Sequence, residues 1–309
     1  MNIYLLIFVL CLIVIISILT NKYFGIIVTR EICEENYMYE EQVKRNLIDK
    51  EWYDNLKKES VVLTSKDGLK LDGEFIENPD GNSTKTMVFV HGITVSRIWS
   101  IKYIKMFYKR GWNILMYDQR RHGRSEGKFS TYGYYEKYDL DLWIQWLVKK
   151  QGDNCTIGLH GESMGAATCI QYASINRYVK FIIADCGFSD LKELLIRKVE
   201  EKSKLLYPIY HITNLEAKIR AKFDFNEVKP IDIVKDTEIP MMFIHGDEDG
   251  FVPWDMSVAM YKAKEKGEKA LYIAKGAAHA RAIEVDKESY EEEVFKFVDT
   301  VLSSVNISA

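Results

Sequence analysis

The sequence predicts an α/β fold, with a mostly parallel sheet covered by helices on both faces. Three observations predict it. Six short apolar runs, residues 87–90, 114–117, 155–159, 179–183, 241–244 and 270–273, are separated by segments of helical spacing, which is how strands buried on both faces of a parallel sheet read. The motif Gly161-Glu162-Ser163-Met164-Gly165 turns sharply from one of these strands into a helical stretch, residues 166–173. A chain of 309 residues, 47% apolar and 13% aromatic, is long enough to bury a full core in one α/β domain.

Along the chain, residues 3–19 are apolar except for Ser17, about the minimum for a helix to cross a hydrocarbon layer of roughly 30 Å. The expected organisation is a membrane anchor over residues 1–22, single-pass and N-terminal. A cleaved signal peptide is the rival reading, but the run exceeds a usual h-region, no basic residue precedes it and no A-x-A site follows. Cys11 lies inside the run behind Leu10, which does not suit lipidation. Lys22 and Arg30 on its C-terminal flank lean towards that side being cytoplasmic, and the sidedness stays open.

Residues 23–59 read as a helical stalk or collar, with Ile32, Val43, Leu47, Trp52 and Leu56 at helical intervals. The main domain follows over residues 60–309. It opens with a hairpin whose strands, 61–64 and 69–76, flank Asp67-Gly68. Two helices carry clear stripes: Tyr138, Leu142, Trp143, Trp146 and Leu147 in one, Val294, Phe295, Phe297, Val298, Val301 and Leu302 in the other. Alternation stops between Gly187 and Pro240, so about residues 188–238 are expected to form a helical cap over the mouth of the sheet.

The net charge of -3 supplies no basic field for nucleic acid, and the cluster Arg120-Arg121-His122-Gly123-Arg124 is short and lies in an expected loop. Five cysteines without paired spacing read as reduced thiols.

Chemistry gathers around Ser163. A hydroxyl needs a base to take its proton, and the base needs a carboxylate to hold its tautomer. Of six histidines, His91 and His245 end strands, His160 abuts the serine turn, His122 is in the Arg-rich loop and His211 in the cap. His279, in a small-residue loop after the last strand, is left as the base. Asp249, in the loop after strand 241–244, is the expected acid, with Asp247 and Asp185 as rivals. A metal site on His245, Asp247 and Asp249 lacks the accompanying histidine pattern. Negative charge developing on a substrate oxygen needs N–H donors. Met164 offers one at the start of a helix, and in His91-Gly92-Ile93-Thr94 the second falls to Ile93 rather than Thr94.

Together, His91-Gly92, residues 118–127, Gly161-Glu162-Ser163-Met164-Gly165, the Asp249-x-x-Val252-Pro253 turn and His279 resemble the α/β-hydrolase superfamily. Within it the chain is similar to serine aminopeptidase-like, monoacylglycerol-lipase-like and Bem46-like hydrolases over roughly residues 60–303. The resemblance implies an eight-stranded, mostly parallel sheet, the order Ser163, Asp249, His279, and no cofactor. Two departures stand out: the oxyanion loop lacks the His-Gly-Gly-Gly of many lipases, and Gln119 and Arg121 stand where relatives often carry Arg and Gly. The expected function is a membrane-anchored serine hydrolase that cleaves an ester, or an amide, bearing an apolar group. The alternatives are a non-catalytic ligand-binding protein on the same fold, and an acyltransferase or cofactor-free haloperoxidase using the same side chains.

Overall fold

The computed structural model describes residues 3–79, 84–175 and 178–307. The outermost ends of the expected anchor and main domain, residues 1–2 and 308–309, lie outside the described residues. The chain begins with α1 (Ile3–Val28), which runs unbroken past residue 22, followed by α2 (Glu35–Lys44) and α3 (Lys50–Asp54). It then alternates: β1 (Glu59–Thr64), β2 (Lys70–Ile76), β3 (Lys85–Val90), α4 (Ile101–Tyr108), β4 (Asn113–Tyr117), α5 (Glu136–Gln151), β5 (Thr156–Glu162), α6 (Met164–Tyr172) and β6 (Val179–Asp185). After β6 come α7 (Leu191–Glu200), α8 (Tyr207–Arg220) and α9 (Pro230–Asp236). The chain closes with β7 (Met241–Gly246), α10 (Asp255–Ala263), β8 (Lys269–Ala274), α11 (Ala282–Val285) and α12 (Lys287–Ile307).

The eight strands form one sheet in the order β1-β2-β4-β3-β5-β6-β7-β8. Only the pairings that involve β2 are antiparallel; from β4 to β8 every neighbour is parallel. This is the α/β-hydrolase architecture expected from the sequence. The inner strands β4 and β7 are buried along their whole length, because helices cover both faces. One face packs Leu115, Leu159 and Phe243 under Trp143 of α5 and Ile170 of α6. The other packs Phe89, Met116 and Ile183 against Phe107 of α4 and Val294 and Val298 of α12. A third cluster joins the post-β6 helices to α1 through Phe24, Val28, Leu194, Tyr210 and Phe223.

The α12 stripe faces the core, with Val294, Phe295, Phe297, Val298 and Val301 all buried. In α5 the buried face is Leu140, Trp143, Ile144, Leu147 and Val148. Tyr138, assigned to that stripe from its spacing, is instead 46% exposed, because the core-facing line runs one position further round the helix. All five cysteines are free; Cys155, Cys169 and Cys186 are buried, Cys11 and Cys33 exposed.

A buried charge cluster fixes the loops at the carboxyl ends of β3 and β4. Arg97, in the turn after β3, pairs with the fully buried Asp118 and reaches Asp72 at 3.1 Å and Glu74 at 3.4 Å. The Asp118 carboxylate also accepts from the amides of Arg97 at 2.8 Å and Arg124 at 3.0 Å. Gly123 passes so close that a Cβ there would strike that carboxylate. Removing one partner of such a pair leaves a buried charge uncompensated, so Arg97→Met is expected to destabilise the fold by about 3–5 kcal/mol. Equilibrium denaturation of the two proteins measures this, and a loss below about 1 kcal/mol would contradict it.

Candidate active site

The site is built on the turn between β5 and α6. Ser163 has φ 55° and ψ −115°, a conformation that costs an L-residue and persists only where the surroundings impose it. They do. The Ser163 amide donates to the Asp185 carbonyl at 2.8 Å, while α6 lies against the end of β3 so closely that a Cβ at Gly165 would collide with the carbonyl of Val90. A Cβ at Gly161 would meet the carbonyl of Gly165 in the same way. Only glycine permits both approaches, and the result is a serine hydroxyl presented at the carboxyl edge of the sheet.

His279 reaches that hydroxyl from the loop after β8. Its Nε2 lies 2.9 Å from Ser163 Oγ and its Nδ1 lies 2.6 Å from Asp249 Oδ2. The other Asp249 oxygen accepts from the amides of Phe251 at 2.8 Å and Val252 at 2.9 Å. Burial raises the Asp249 pKa, but hydrogen bonds from His245 and His279 outweigh it and hold the carboxyl well below the usual range. With Asp249 ionised, His279 carries its proton on Nδ1 and leaves Nε2 free to accept one from the serine.

The rival carboxylates are engaged elsewhere. Asp247 accepts from the Gly276 amide at 2.7 Å and pairs with Lys275 at 3.1 Å. Asp185 is fully buried below the serine turn and accepts from Tyr290 at 2.9 Å; burial, with the charge of Glu162 nearby, pushes its carboxyl up to about 6.

Lys102 of α4 joins the two halves of the site. Buried, it pairs with Glu162 at 2.8 Å and donates to the Ala280 carbonyl at 2.9 Å, so one ammonium holds both the serine turn and the histidine loop. On the oxyanion side, Gly92 passes against Ser163, where a Cβ would lie 3.4 Å from the serine Cβ. Met164 opens α6, and a first-turn amide has no partner inside its helix. Ile93 is buried, and its side chain lines the pocket above the serine.

Gln119 explains one departure seen in the sequence. Its amide nitrogen donates to the His91 carbonyl at 2.6 Å, and its oxygen accepts from Thr168 of α6 at 3.0 Å. It thereby ties the loop carrying Ile93 to the helix carrying Met164. His91 accepts from the Gln119 backbone amide at 3.0 Å; burial and the neighbouring His122 keep its imidazole neutral.

Two contributions were not drawn from the sequence. His245, read from the sequence as a strand end and weighed only for a metal site, places Nε2 3.0 Å from both Asp249 Oδ2 and the Val252 carbonyl. Its Nε2 therefore donates, and Nδ1 accepts from Ser257 at 2.7 Å. The i, i+4 spacing of His245 and Asp249 was the available signal. The second is α1, which lines a cavity of about 300 Å³ above Ser163 with Tyr23, Ile26 and Ile27, joined by Arg30 just past its end. No sequence pattern announces it, since the helix is apolar all round. The ligating atoms of Cys186, Asp249 and His279 lie within 4.8 Å of one another, but both oxygens of Asp249 and both nitrogens of His279 are already hydrogen-bonded.

Residues 81–227 match the family described as serine aminopeptidase, S33. The chain is 34% identical over 257 residues to the uncharacterised protein YqkD of Bacillus subtilis (strain 168), covering 82% of this chain and 83% of that protein. It is 26% identical over 201 residues to the alpha/beta hydrolase domain-containing protein 17C of Homo sapiens, covering 64% of this chain and 54% of the other. Among solved structures it is similar to the Pyrococcus furiosus esterase Pf2001, at 28% identity and a TM-score of 0.64 over 79% of this chain and 93% of that one.

The depressed pKa of Asp249 gives a signed prediction. A carboxyl lowered on folding contributes stability in full above its unfolded value of about 3.9 and loses it as pH falls towards the folded value. Asp249→Asn should therefore cost less stability at pH 3.5 than at pH 7. Urea denaturation at both pH values checks it, and an equal penalty at both would count against the shift.

Proposed function

This chain belongs to the α/β-hydrolase superfamily, and from that premise we propose that it is a membrane-anchored serine hydrolase cleaving a carboxylic ester through an acyl-enzyme on Ser163. The observation that carries the reading is the unbroken hydrogen-bonded chain from Ser163 through His279 to Asp249. As Ser163 Oγ bonds to the ester carbonyl carbon, its proton passes to His279 Nε2, and Asp249 stabilises the imidazolium that forms. The carbonyl oxygen becomes an oxyanion facing the amides of Ile93 and Met164. The carbon–oxygen bond to the alcohol then breaks, and the alcohol leaves with the proton from His279. Water adds to the acyl-enzyme with His279 as base, releasing the carboxylic acid and restoring the serine.

The pocket favours an apolar acyl group, since its walls near the serine are Ile93, Met164, Leu194, Leu195 and Phe251. Retention of α1 as an anchor is supported by its last turns. Phe24 and Val28 are buried, Ile27 O accepts from Tyr132 at 2.9 Å, and Val28 O accepts from the Ser130 amide at 2.9 Å. Cleavage near residue 28 would uncover the surface that Phe24 and Val28 pack on and leave the Tyr132 hydroxyl and the Ser130 amide without these acceptors. The part before residue 20 behaves oppositely: Phe8 and Ile18 are 65% and 64% exposed, as a lipid-facing helix requires.

A fluorophosphonate probe is expected to label the full chain and not Ser163→Ala; a folded protein that resists labelling would sink the proposal. Asp249→Asn should lower kcat roughly 10⁴-fold by releasing the imidazole tautomer. Across p-nitrophenyl esters, each methylene that enters the cavity should raise kcat/KM roughly fourfold, the equivalent of about 0.8 kcal/mol. A flat profile from acetate to octanoate would remove the apolar pocket from the reading.

A further inference from the structure

The last turns of α1 have two faces, and both are occupied. Thr20, Phe24, Ile27 and Val28 are buried, a spacing of one helical stripe, and this stripe packs on α8 and the cap cluster. Arg220 of α8 stacks over Phe24 at 3.9 Å and donates to Asn21 at 3.0 Å. The adjoining stripe, Tyr23, Ile26 and Ile27, lines the same cavity as Ser163, as does Arg30 two residues past the helix end. The main domain grips the end of this segment with polar contacts. Arg121 donates to the Arg30 carbonyl at 2.7 Å, and the Cys33 amide donates to the Thr94 carbonyl at 2.8 Å. Arg121 does so from a φ of 71°, a backbone region that suits glycine better.

Position decides what this wall is for. Residues 3–22 of α1 extend about 30 Å at 1.5 Å per residue, the thickness of a hydrocarbon layer. Tyr23 and Ile26 therefore stand where a helix spanning the layer with residues 3–22 would leave it, and both line the cavity that Ser163 shares. Its volume, about 300 Å³, is at the low end for ligand pockets and suits one chain rather than two.

We infer that α1 is a wall of the acyl-binding pocket as well as an anchor, and that the substrate is a single-chain acyl ester resident in the membrane, which enters along this helix. The inference rests on the hydrolytic reading of Ser163. One element thus couples location to specificity: the acyl chain passes from lipid to the pocket along the apolar side of α1, and its ester end meets Ser163. The substrate class is set by the place where the wall emerges.

The test uses the full chain reconstituted in phosphatidylcholine liposomes. An alkyl fluorophosphonate with a diazirine near the end of an eight-carbon chain is allowed to react with Ser163 and is then photolysed. Mass spectrometry is expected to find the chain crosslinked to residues 23–30. Crosslinks confined to the cap and core segments would overturn the inference. In the second arm, p-nitrophenyl palmitate is placed either in the same liposomes as the protein or in separate ones. At least tenfold faster hydrolysis from shared liposomes is expected, and equal rates would overturn the membrane source. Hydrolysis of p-nitrophenyl acetate distinguishes the two failures. If it persists and depends on Ser163 while crosslinks miss α1, the hydrolase stands and the wall falls; if it survives Ser163→Ala, the hydrolytic reading falls and takes the wall with it.

Discussion

The approach of α6 to the end of β3 governs the geometry of the site. Gly165 lies where no side chain fits beside the carbonyl of Val90, and this contact forces the chain to leave β5 through a residue of positive φ, Ser163. A longer side chain at 165 would push α6 away from the sheet and relax that turn. The hydroxyl would then no longer project from the sheet edge, and the amide of Met164 would move with it. The strain at one residue is thus maintained by packing at two glycines, and the folding energy of the surrounding sheet holds it in place.

Around this turn, buried polar groups do the positioning. Lys102 bridges Glu162 and the carbonyl of Ala280, so the separation between the serine turn and the histidine loop is set by a single side chain. Gln119 bridges the His91 carbonyl and Thr168, which sets the distance between the two candidate oxyanion donors. His245 and two backbone amides together satisfy Asp249. The Lys102 and Gln119 bridges join segments far apart in sequence, whereas the Asp249 partners come from its own loop and the strand end before it; away from water a hydrogen bond loses little strength to competition and an unmade one costs most.

The two departures from the family pattern find separate reasons. Gln119 is part of the bridge just described. Arg121 turns away from the site to the end of α1, and it adopts the backbone conformation that a glycine would take at no cost. With α1 packed on α8, this contact adds a hold on the segment that follows the helix, beside those that Tyr132 and Ser130 make to the carbonyls of Ile27 and Val28.

Sequence alone determined the sheet and its order of strands and helices, because short apolar runs mark strands buried on both faces, period-3.6 stripes mark helices, and both survive without knowledge of neighbours. It also singled out Ser163, Asp249 and His279, since a serine between glycines and a histidine in a small-residue loop leave a local trace. Which oxygen met which nitrogen was decided by tertiary structure: Asp185 and Asp249 both end strands or follow them, and only the packing of the loop after β7 turns Asp249 towards His279. Tyr138 points to solvent for a similar reason, its helix being rotated by contacts that periodicity does not contain. The role of α1 in the pocket was the least legible. A helix that is apolar on every side carries no mark of the face it will turn to a partner, and that choice is made only when another helix, here α8, packs against it.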